Sequence, residues 1–451
     1  MSDYSIFFKK HATESIGLIG WCLDFPKDKD KFAAAEFTEQ GIVFQGWLLA
    51  TTSAQMFLRQ GEHQVNIPLE RNRPDVIKAV LQQEPQDHAK LSCGFRVSIC
   101  LNHPHFVLGV TVDGVDTALV TGEIRGAFQV LQGKDGWLFL DNDTNKSVEQ
   151  FTGKQLIEPH ELRHWKSYFK GVSKLTSQLK LPYVMLMAPS KELVYEQFYP
   201  HAKGKVTAIE QLMTLLPSQF PFLHPVSQLQ AMSERSFRVT DTHWSIHGAA
   251  KASELCALEL GVPAPSLQQL FADDVFYSRD VVGDLGNKIF PPAKHAEAVL
   301  KNYSYRKFVT YDNQLPNFGR VVVIQQPAAI RDAHLLVLGS SSAYSMLNHL
   351  TRVFSTVTLI HTAGNVEPQL VKELAPDFLI VQTNARFVVR APTCDYCLVT
   401  SMTEKLGLLS DEAWQQQGED VAKQADTRHP VQVLHAKYVQ ARQQVGRASR
   451  D

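Results

Sequence analysis

The chain has 451 residues, of which 44% are hydrophobic and 20% charged, a composition typical of a folded globular protein rather than a disordered one. Its 45 Lys and Arg against 46 Asp and Glu give a net charge of -1, so we expect no nucleic-acid partner. No apolar run reaches the roughly 18 residues that a membrane-spanning helix needs, and six cysteines are too few for a disulfide scaffold.

From about Ile16 the first part of the chain alternates short apolar runs with turn-forming residues. The runs GLIGWCL, GIVFQGWLL, GFRVSICL and FVLGVTVDG are strand-sized, and RNRPDV and LNHPH separate some of them. This spacing is typical of antiparallel strands in two layers. It predicts an N-terminal antiparallel β-sandwich over residues 1–125, to which we assign, by analogy of fold, a glycan-binding or scaffolding role.

Beyond Gly133, helices and buried strands alternate. The apolar spacing in LIEPHELRHWKSYFKGVSKLTSQLK predicts a long helix, and LPYVMLMAP, HLLVLG, STVTLIH and DFLIVQ are predicted strands. Such alternation predicts an α/β domain over residues 126–410, with a parallel sheet covered by helices. Ligands of such sheets bind at the carboxyl ends of the strands. The Gln- and Ala-rich segment 411–451 predicts a helical C-terminal tail.

A cluster of three serines follows one of these strands. In AHLLVLGSSSAYSML, Ser340, Ser341 and Ser342 stand where a strand ends at Gly339 and a helix begins. A serine at that junction can act as a nucleophile, because its hydroxyl is exposed and the amides of the helix start can stabilise an oxyanion. The same serines would also serve as a helix cap. The cluster alone leaves both alternatives open.

The stretch RVTDTHWSIHGAA supplies the partners that a serine nucleophile needs. Asp241 and His243 are two residues apart, so in an extended segment their side chains project from one face. The carboxylate can then fix the tautomer of the imidazole, whose other nitrogen faces the hydroxyl. His247 follows His243 at a spacing that also suits a metal pair, but no third ligand stands nearby. We therefore expect neither a metal nor another cofactor, and we place Trp244 in the packing.

The order of these motifs resembles the SGNH-hydrolase-like domain of the alginate O-acetylation proteins, the AlgJ and AlgX type. The matching motifs lie between Gly133 and about Arg390 and are GKDGWLFL, APSKELVY, DTHWS, GDLGNK, GSSSAYS and PDFLIV. In ordinary SGNH enzymes the serine block precedes the Asp/His block. In this family it follows that block, as it does here. The resemblance implies an SGNH-hydrolase-like fold and a serine-dependent O-acetyltransferase.

By this resemblance Ser341 is the nucleophile, His243 the general base and Asp241 the carboxylate that orients it. We expect the three side chains within hydrogen-bond reach of one another. Ser340 stands where many members have aspartate, and this departure leaves Ser340 and Ser342 as rival nucleophiles.

Further matched positions are candidates for substrate binding or for the oxyanion hole: Gly339, Asn287, Lys191 and Arg386. The side chain of Asn287 could donate to an oxyanion or a glycan hydroxyl, but an asparagine beside a glycine is equally typical of a turn. Arg386 often follows a glutamate in the family, whereas here it follows Ala385, which favours a structural role. Tyr195 and Asp284 match the family without a role that we derive.

The resemblance implies an O-acetyltransferase that modifies a bacterial polysaccharide or its precursor through an acetyl-serine intermediate. A carbohydrate acetylesterase would use the same residues and admit water, and a non-catalytic glycan-binding or assembly protein would keep them as a vestige. The expected partners are a polysaccharide or oligosaccharide acceptor and an acetyl donor, either acetyl-CoA or a membrane acyltransferase. Because the N-terminal apolar run lacks a cleavage site, we expect a cytoplasmic location at the inner face of the membrane. The periplasm, where the alginate proteins act, is the alternative.

Overall fold

The structure, a computed structural model, describes residues 3–12, 17–126 and 130–448. These residues form two compact units, Met1–Leu131 with Val282–Lys294, and Gln132–Val281 with His295–Asp451. Ile16, near which the alternating apolar runs begin, and positions 449–451 of the predicted tail lie outside the described residues. Within the described ranges, no helix has both the length and the apolarity required to cross a membrane.

The first unit is built from two antiparallel sheets, with strand orders β3-β1-β9-β8-β5-β6 and β2-β4-β7. Residues such as Phe44 and Leu58, one from each sheet, are buried in one shared hydrophobic core. The two sheets therefore pack as two layers around that core. The strands are β1 Asp3–Lys10, β2 Leu18–Phe25, β3 Lys31–Ala33, β4 Ile42–Ala50, β5 Ala54–Gln60, β6 His63–Ile67, β7 Gly94–Ile99, β8 His105–Val112 and β9 Val115–Arg125.

Short helical turns and one border strand complete this part of the chain. They are α1 Pro74–Val76, the π-turns Glu36–Gln40 and Ile77–Leu81, the 3-10 turn Gly286–Lys288, and β10 Val130–Gln132. The segment Val282–Lys294, which the sequence analysis includes in the α/β region 126–410, belongs to the first compact unit.

The second unit contains a seven-stranded sheet with the order β13-β12-β20-β18-β19-β17-β16. Five strands, β12, β13, β18, β19 and β20, are parallel, as the alternating pattern predicts. The strands of the unit are β11 Leu138–Leu140, β12 Tyr183–Ala188, β13 Phe222–Leu223, β14 Phe276–Val281, β15 His295–Leu300, β16 Val309–Asp312, β17 Val321–Gln325, β18 Arg331–Gly339, β19 Phe354–His361 and β20 Phe378–Asn384.

The sheet is mixed, whereas the sequence predicts a parallel sheet. Strands β16 and β17 pair antiparallel because the connection between them is a short hairpin loop, and parallel neighbours need a long crossover. Strand β17 in turn pairs antiparallel with β19. The antiparallel strands lie at one edge and leave the central strands parallel.

Helices surround this sheet. Helix α3 turns an apolar face that includes Trp165 and Phe169 into the core, and α12 and α13 contribute Val421 and Leu434 to the same core. The predicted C-terminal tail is therefore packed as part of the second unit. The helices are α2 Ser147–Phe151, α3 Pro159–Leu179, α4 Lys191–Val194, α5 Ala208–Met213, α6 Val226–Gln230, α7 Ile246–Glu259, α8 Ala264–Phe271, α9 Ala343–Val353, α10 Pro368–Leu374, α11 Leu398–Leu406, α12 Asp411–Ala422 and α13 Val431–Ala448.

The turn from β18 to α9 brings the serine cluster to the carboxyl edge of the sheet. Strand β18 lies between β19 and β20, and its apolar run from Leu335 to Leu338 is buried. At its last position, Gly339, a Cβ atom would stand 2.8 Å from the Cβ of Ala343. Glycine therefore permits the close approach between the strand end and the helix start.

Candidate active site

The segment from Asp241 to His243 is a tight turn, which corrects the prediction of an extended segment. It lies between Phe237 and Trp244, which form an isolated antiparallel bridge just before α7. Oδ1 of Asp241 accepts a hydrogen bond from the main-chain N–H of His243 at 2.9 Å. Aspartate commonly closes such a turn by bonding the amide two residues on. The turn, rather than strand geometry, brings the carboxylate beside the imidazole.

The structure places the carboxylate, the imidazole and one serine hydroxyl in a hydrogen-bonded series. Nδ1 of His243 lies 2.7 Å from Oδ1 of Asp241, and Nε2 lies 2.9 Å from Oγ of Ser341. His243 and Ser341 are 98 positions apart in the chain, and they meet because α7 and α9 pack against each other. In this arrangement the imidazole can accept the proton of the hydroxyl when the oxygen attacks an electrophile.

Asp241 is held in its ionised form. Its side chain is buried, and burial raises the pKa of the carboxyl group. The hydrogen bond and charge of His243, that residue's main-chain N–H and the charge of Arg238 outweigh burial and leave the pKa of Asp241 below its usual range. Nη1 of Arg238 lies 3.4 Å from Oδ2. A carboxylate that stays ionised can stabilise the imidazolium that forms when His243 takes a proton.

The two rival serines are engaged elsewhere. Ser340 is 2% exposed, and both its main-chain N–H and its Oγ donate to Oε1 of Gln382, at 2.6 and 2.9 Å. Oγ of Ser342 donates to Oδ1 of Asn384 at 3.0 Å. Neither amide side chain is among the residues predicted from the sequence, although their position at the carboxyl end of a predicted strand was a usable signal. They hold the turn so that the hydroxyl of Ser341 faces His243.

Trp244 fixes the serine turn as well as packing in the core. Its indole is 1% exposed, and its Nε1–H donates to the carbonyl of Ser342 at 3.0 Å and to Oγ of Ser345 at 2.6 Å. Because this tryptophan directly follows His243, one short segment positions the base and anchors the turn that carries the hydroxyl.

Two neighbouring residues, His247 and Tyr195, support the segment around Asp241 and His243 and take no part in the hydrogen-bonded series. His247 lies in the first turn of α7, as expected, and its ring packs on Phe276 with centroids 4.5 Å apart. The hydroxyl of Tyr195 accepts a hydrogen bond from the main-chain N–H of Ser236 at 2.8 Å.

The amides at the start of α9 are candidates for an oxyanion hole. Among the described residues, the main-chain N–H groups of Ser341 and Ser342 have no hydrogen-bond acceptor. Free amides beside a nucleophile can stabilise an alkoxide that forms there. The carbonyl of Gly339 accepts from Thr362 and Ala363, so the contribution of this glycine is the space that it leaves.

Lys191 supports the Asp241 turn, and its role toward a substrate or an oxyanion stays a prediction. The side chain is 4% exposed, and its Nζ donates to the carbonyls of Leu138, Val239 and Asp241, at 2.6, 2.8 and 2.9 Å. It also lies 5.1 Å from the ring centroids of two aromatic side chains of the GWLFL motif. The buried ammonium therefore joins that motif to the turn that holds Asp241.

Asn287 and Arg386 lie in different compact units. Asn287 is in the segment Val282–Lys294 of the first unit, where its carbonyl accepts a hydrogen bond from the hydroxyl of Tyr4 at 2.7 Å. Its role toward an oxyanion or a glycan stays a prediction. Arg386 lies with Ser341 in the wall of a groove, and its main-chain carbonyl accepts from Nε2 of Gln150 at 2.8 Å.

The groove onto which Ser341 opens has a volume of about 580 Å³. Its wall carries three cationic side chains, Arg386, Arg390 and Lys405, together with the aromatic ring of Phe318. A volume of this size is within the range of small-molecule sites in proteins.

No protein-family model and no curated protein matches the chain. The solved structures that are similar to it at low identity include the following three. They are PatB1 of Bacillus cereus (13% identity, TM-score 0.45, covering 58% of this chain and 97% of that one), the O-acetyltransferase domain of Pseudomonas putida AlgJ (16%, 0.36, 64% and 99%) and Pseudomonas aeruginosa AlgX (14%, 0.35, 58% and 63%). AlgJ and AlgX are the proteins whose family the sequence motifs resemble. The chemistry is inferred from the side chains of this chain.

Proposed function

We propose that the protein is an O-acetyltransferase that acylates a polysaccharide, or its precursor, through an acetyl-serine intermediate on Ser341. One observation carries the proposal. His243 stands between Asp241 and Ser341, at 2.7 Å from the carboxylate and 2.9 Å from the hydroxyl, beside a groove large enough for a substrate. Nucleophilic catalysis by serine requires a base in this position and a group that orients the base.

The first half-reaction moves acetyl from the donor to the enzyme. Oγ of Ser341 attacks the acetyl carbonyl carbon while Nε2 of His243 takes the hydroxyl proton. The amides at the start of α9 stabilise the resulting oxyanion. When the tetrahedral intermediate collapses, the bond to the donor breaks, and the imidazolium returns its proton to the leaving group.

The second half-reaction releases the acetyl group to an acceptor. A sugar hydroxyl attacks acetyl-Ser341, and its proton passes through Nε2 of His243 to the departing Oγ. Water would give acetate by the same route. A hydroxyl held in the groove competes with water because its effective molarity is large. The resemblance of the motifs to the alginate O-acetylation proteins favours transfer, and the donor, the acceptor and the cytoplasmic location stay predictions.

Transfer and hydrolysis can be separated in one assay. Incubation of the full chain with 4-nitrophenyl acetate should give slow hydrolysis, and a panel of bacterial oligosaccharides should include one that gains acetyl, detected by mass spectrometry, while acetate release falls. Omission of the enzyme is the control for spontaneous acetylation. If acetylated glycans are rapidly deacetylated and no oligosaccharide gains acetyl, the protein is an esterase instead.

A further inference from the structure

The groove beside Ser341 is lined by positive charge without a negative counterpart. Arg386, Arg390 and Lys405 contribute to its wall, and none of the lining residues is acidic. Within residues 3–12, 17–126 and 130–448, none of the three cations forms an ion pair. Elsewhere in the second unit, arginines such as Arg320 and Arg352 are paired with aspartates. What distinguishes this groove is that these three cations line one cavity together with Ser341.

One of these cations has a buried N–H group without a hydrogen-bond acceptor. Nε of Arg386 is buried and has no hydrogen-bond partner among the described residues. The charge of Arg386 acts on Glu192, an acid in the wall of a separate small cavity that Arg386 also lines. Burial, opposed by its own amide, Arg386 and Lys191, raises the pKa of Glu192 to about 7. Glu192 is thus only partly charged at neutral pH and neutralises Arg386 poorly.

The pKa of a histidine in the wall is also lowered by the nearby positive charges. His361 lines the groove, and burial together with the charges of Arg320 and Lys405 lowers the pKa of His361 to about 4. The ring is therefore neutral at neutral pH and does not add a positive charge to the groove. The permanent charges are those of the two arginines and Lys405.

We propose that this groove binds an anionic group, a phosphate or a carboxylate, carried by a substrate of Ser341. The proposal rests on the proposed acyl transfer, because it makes the groove the place where a reacting molecule is held. Arginine suits both groups, since its planar guanidinium forms two parallel hydrogen bonds to a pair of anionic oxygens. The phosphate would belong to an activated acyl donor such as a coenzyme A thioester, and the carboxylate to a uronic acid of the acceptor glycan.

The test uses the full chain and two anionic probes at constant ionic strength. Inorganic pyrophosphate and a glucuronate oligosaccharide are titrated by calorimetry, and each is tested as an inhibitor of 4-nitrophenyl acetate hydrolysis. The variants Arg390→Gln and Lys405→Gln each remove one groove cation. Arg163→Gln on helix α3 and Lys372→Gln on helix α10 each remove one exposed cation and serve as matched controls.

We expect at least one probe to bind, with affinity about tenfold weaker in each groove variant and unchanged in the controls. Tighter binding of pyrophosphate would identify the donor as the source of the anion, and tighter binding of glucuronate would identify the acceptor. If neither probe binds, or if the controls weaken binding as much as the groove variants, the proposal is overturned. Calorimetry on Ser341→Ala keeps the two proposals separate. If the anion binds but hydrolysis does not depend on Ser341, the proposed acyl transfer is wrong and anion binding by the groove stands. If hydrolysis depends on Ser341 but no anion binds, the proposed anion site is wrong and the acyl transfer stands.

Discussion

Ser341→Ala should lower the turnover of acetyl esters roughly 10⁴-fold or more, because it removes the attacking oxygen. His243→Ala should cost a similar factor, since the hydroxyl then loses the base that lies 2.9 Å away. The double variant should be no slower than either single variant, because the two groups act as one unit. Steady-state kinetics with 4-nitrophenyl acetate measures all three.

The neighbouring serines provide matched controls within the same turn. Ser340→Ala and Ser342→Ala each lose one hydrogen bond to an amide side chain of β20, so we expect a loss of activity of about tenfold at most. The assignment of the nucleophile would be wrong if Ser340→Ala or Ser342→Ala abolished turnover while Ser341→Ala retained it.

Lys191→Met should lower kcat about 100-fold and leave KM nearly unchanged. Methionine fills a similar volume between the aromatic rings but donates no hydrogen bond to the carbonyl of Asp241. The turn that sets the carboxylate against His243 is then free to shift, and a displacement of about 1 Å at a catalytic group can cost this factor. Each buried carbonyl left without a donor also costs about 1–3 kcal/mol, so the Tm should fall.

Arg331→Met separates this positioning effect from a general loss of stability. Arg331 also donates to two main-chain carbonyls, those of Leu260 and Gly261, but it lies at the opposite end of β18 from Ser341. We expect its replacement to lower the Tm with little change in kcat. If kcat falls in proportion to Tm, and by the same proportion in Lys191→Met and Arg331→Met, then Lys191 supports only the fold.

The site could be predicted from sequence as far as local patterns carry it. The run HLLVLG followed by three serines indicated a strand end, and Asp241 and His243 were close enough in the chain to be recognised as partners. Their geometry was predicted for the wrong reason. The spacing of two residues between Asp241 and His243 suggested a strand. In the structure the carboxylate of Asp241 accepts a hydrogen bond from the amide two residues on, and this bond closes a turn.

Other features depend on contacts between distant parts of the chain. Nothing near Lys191 indicates that its ammonium meets carbonyls about 50 positions away on both sides. The groove likewise brings Arg386, just after β20, and Lys405, on α11, together with Ser341. The antiparallel strands β16 and β17 depend on a short loop, which a pattern of alternating helices and strands does not indicate.

The most direct test of the central claim is covalent labelling of the full chain with a fluorophosphonate, followed by peptide mapping with mass spectrometry. An activated serine should take one adduct, on the peptide that contains Ser341, with no label there in Ser341→Ala and slow labelling in His243→Ala. Thermal unfolding of each sample verifies that the protein is folded. A folded protein that takes no adduct, or takes it on Ser340 or Ser342, would contradict the assignment of Ser341 as an activated nucleophile.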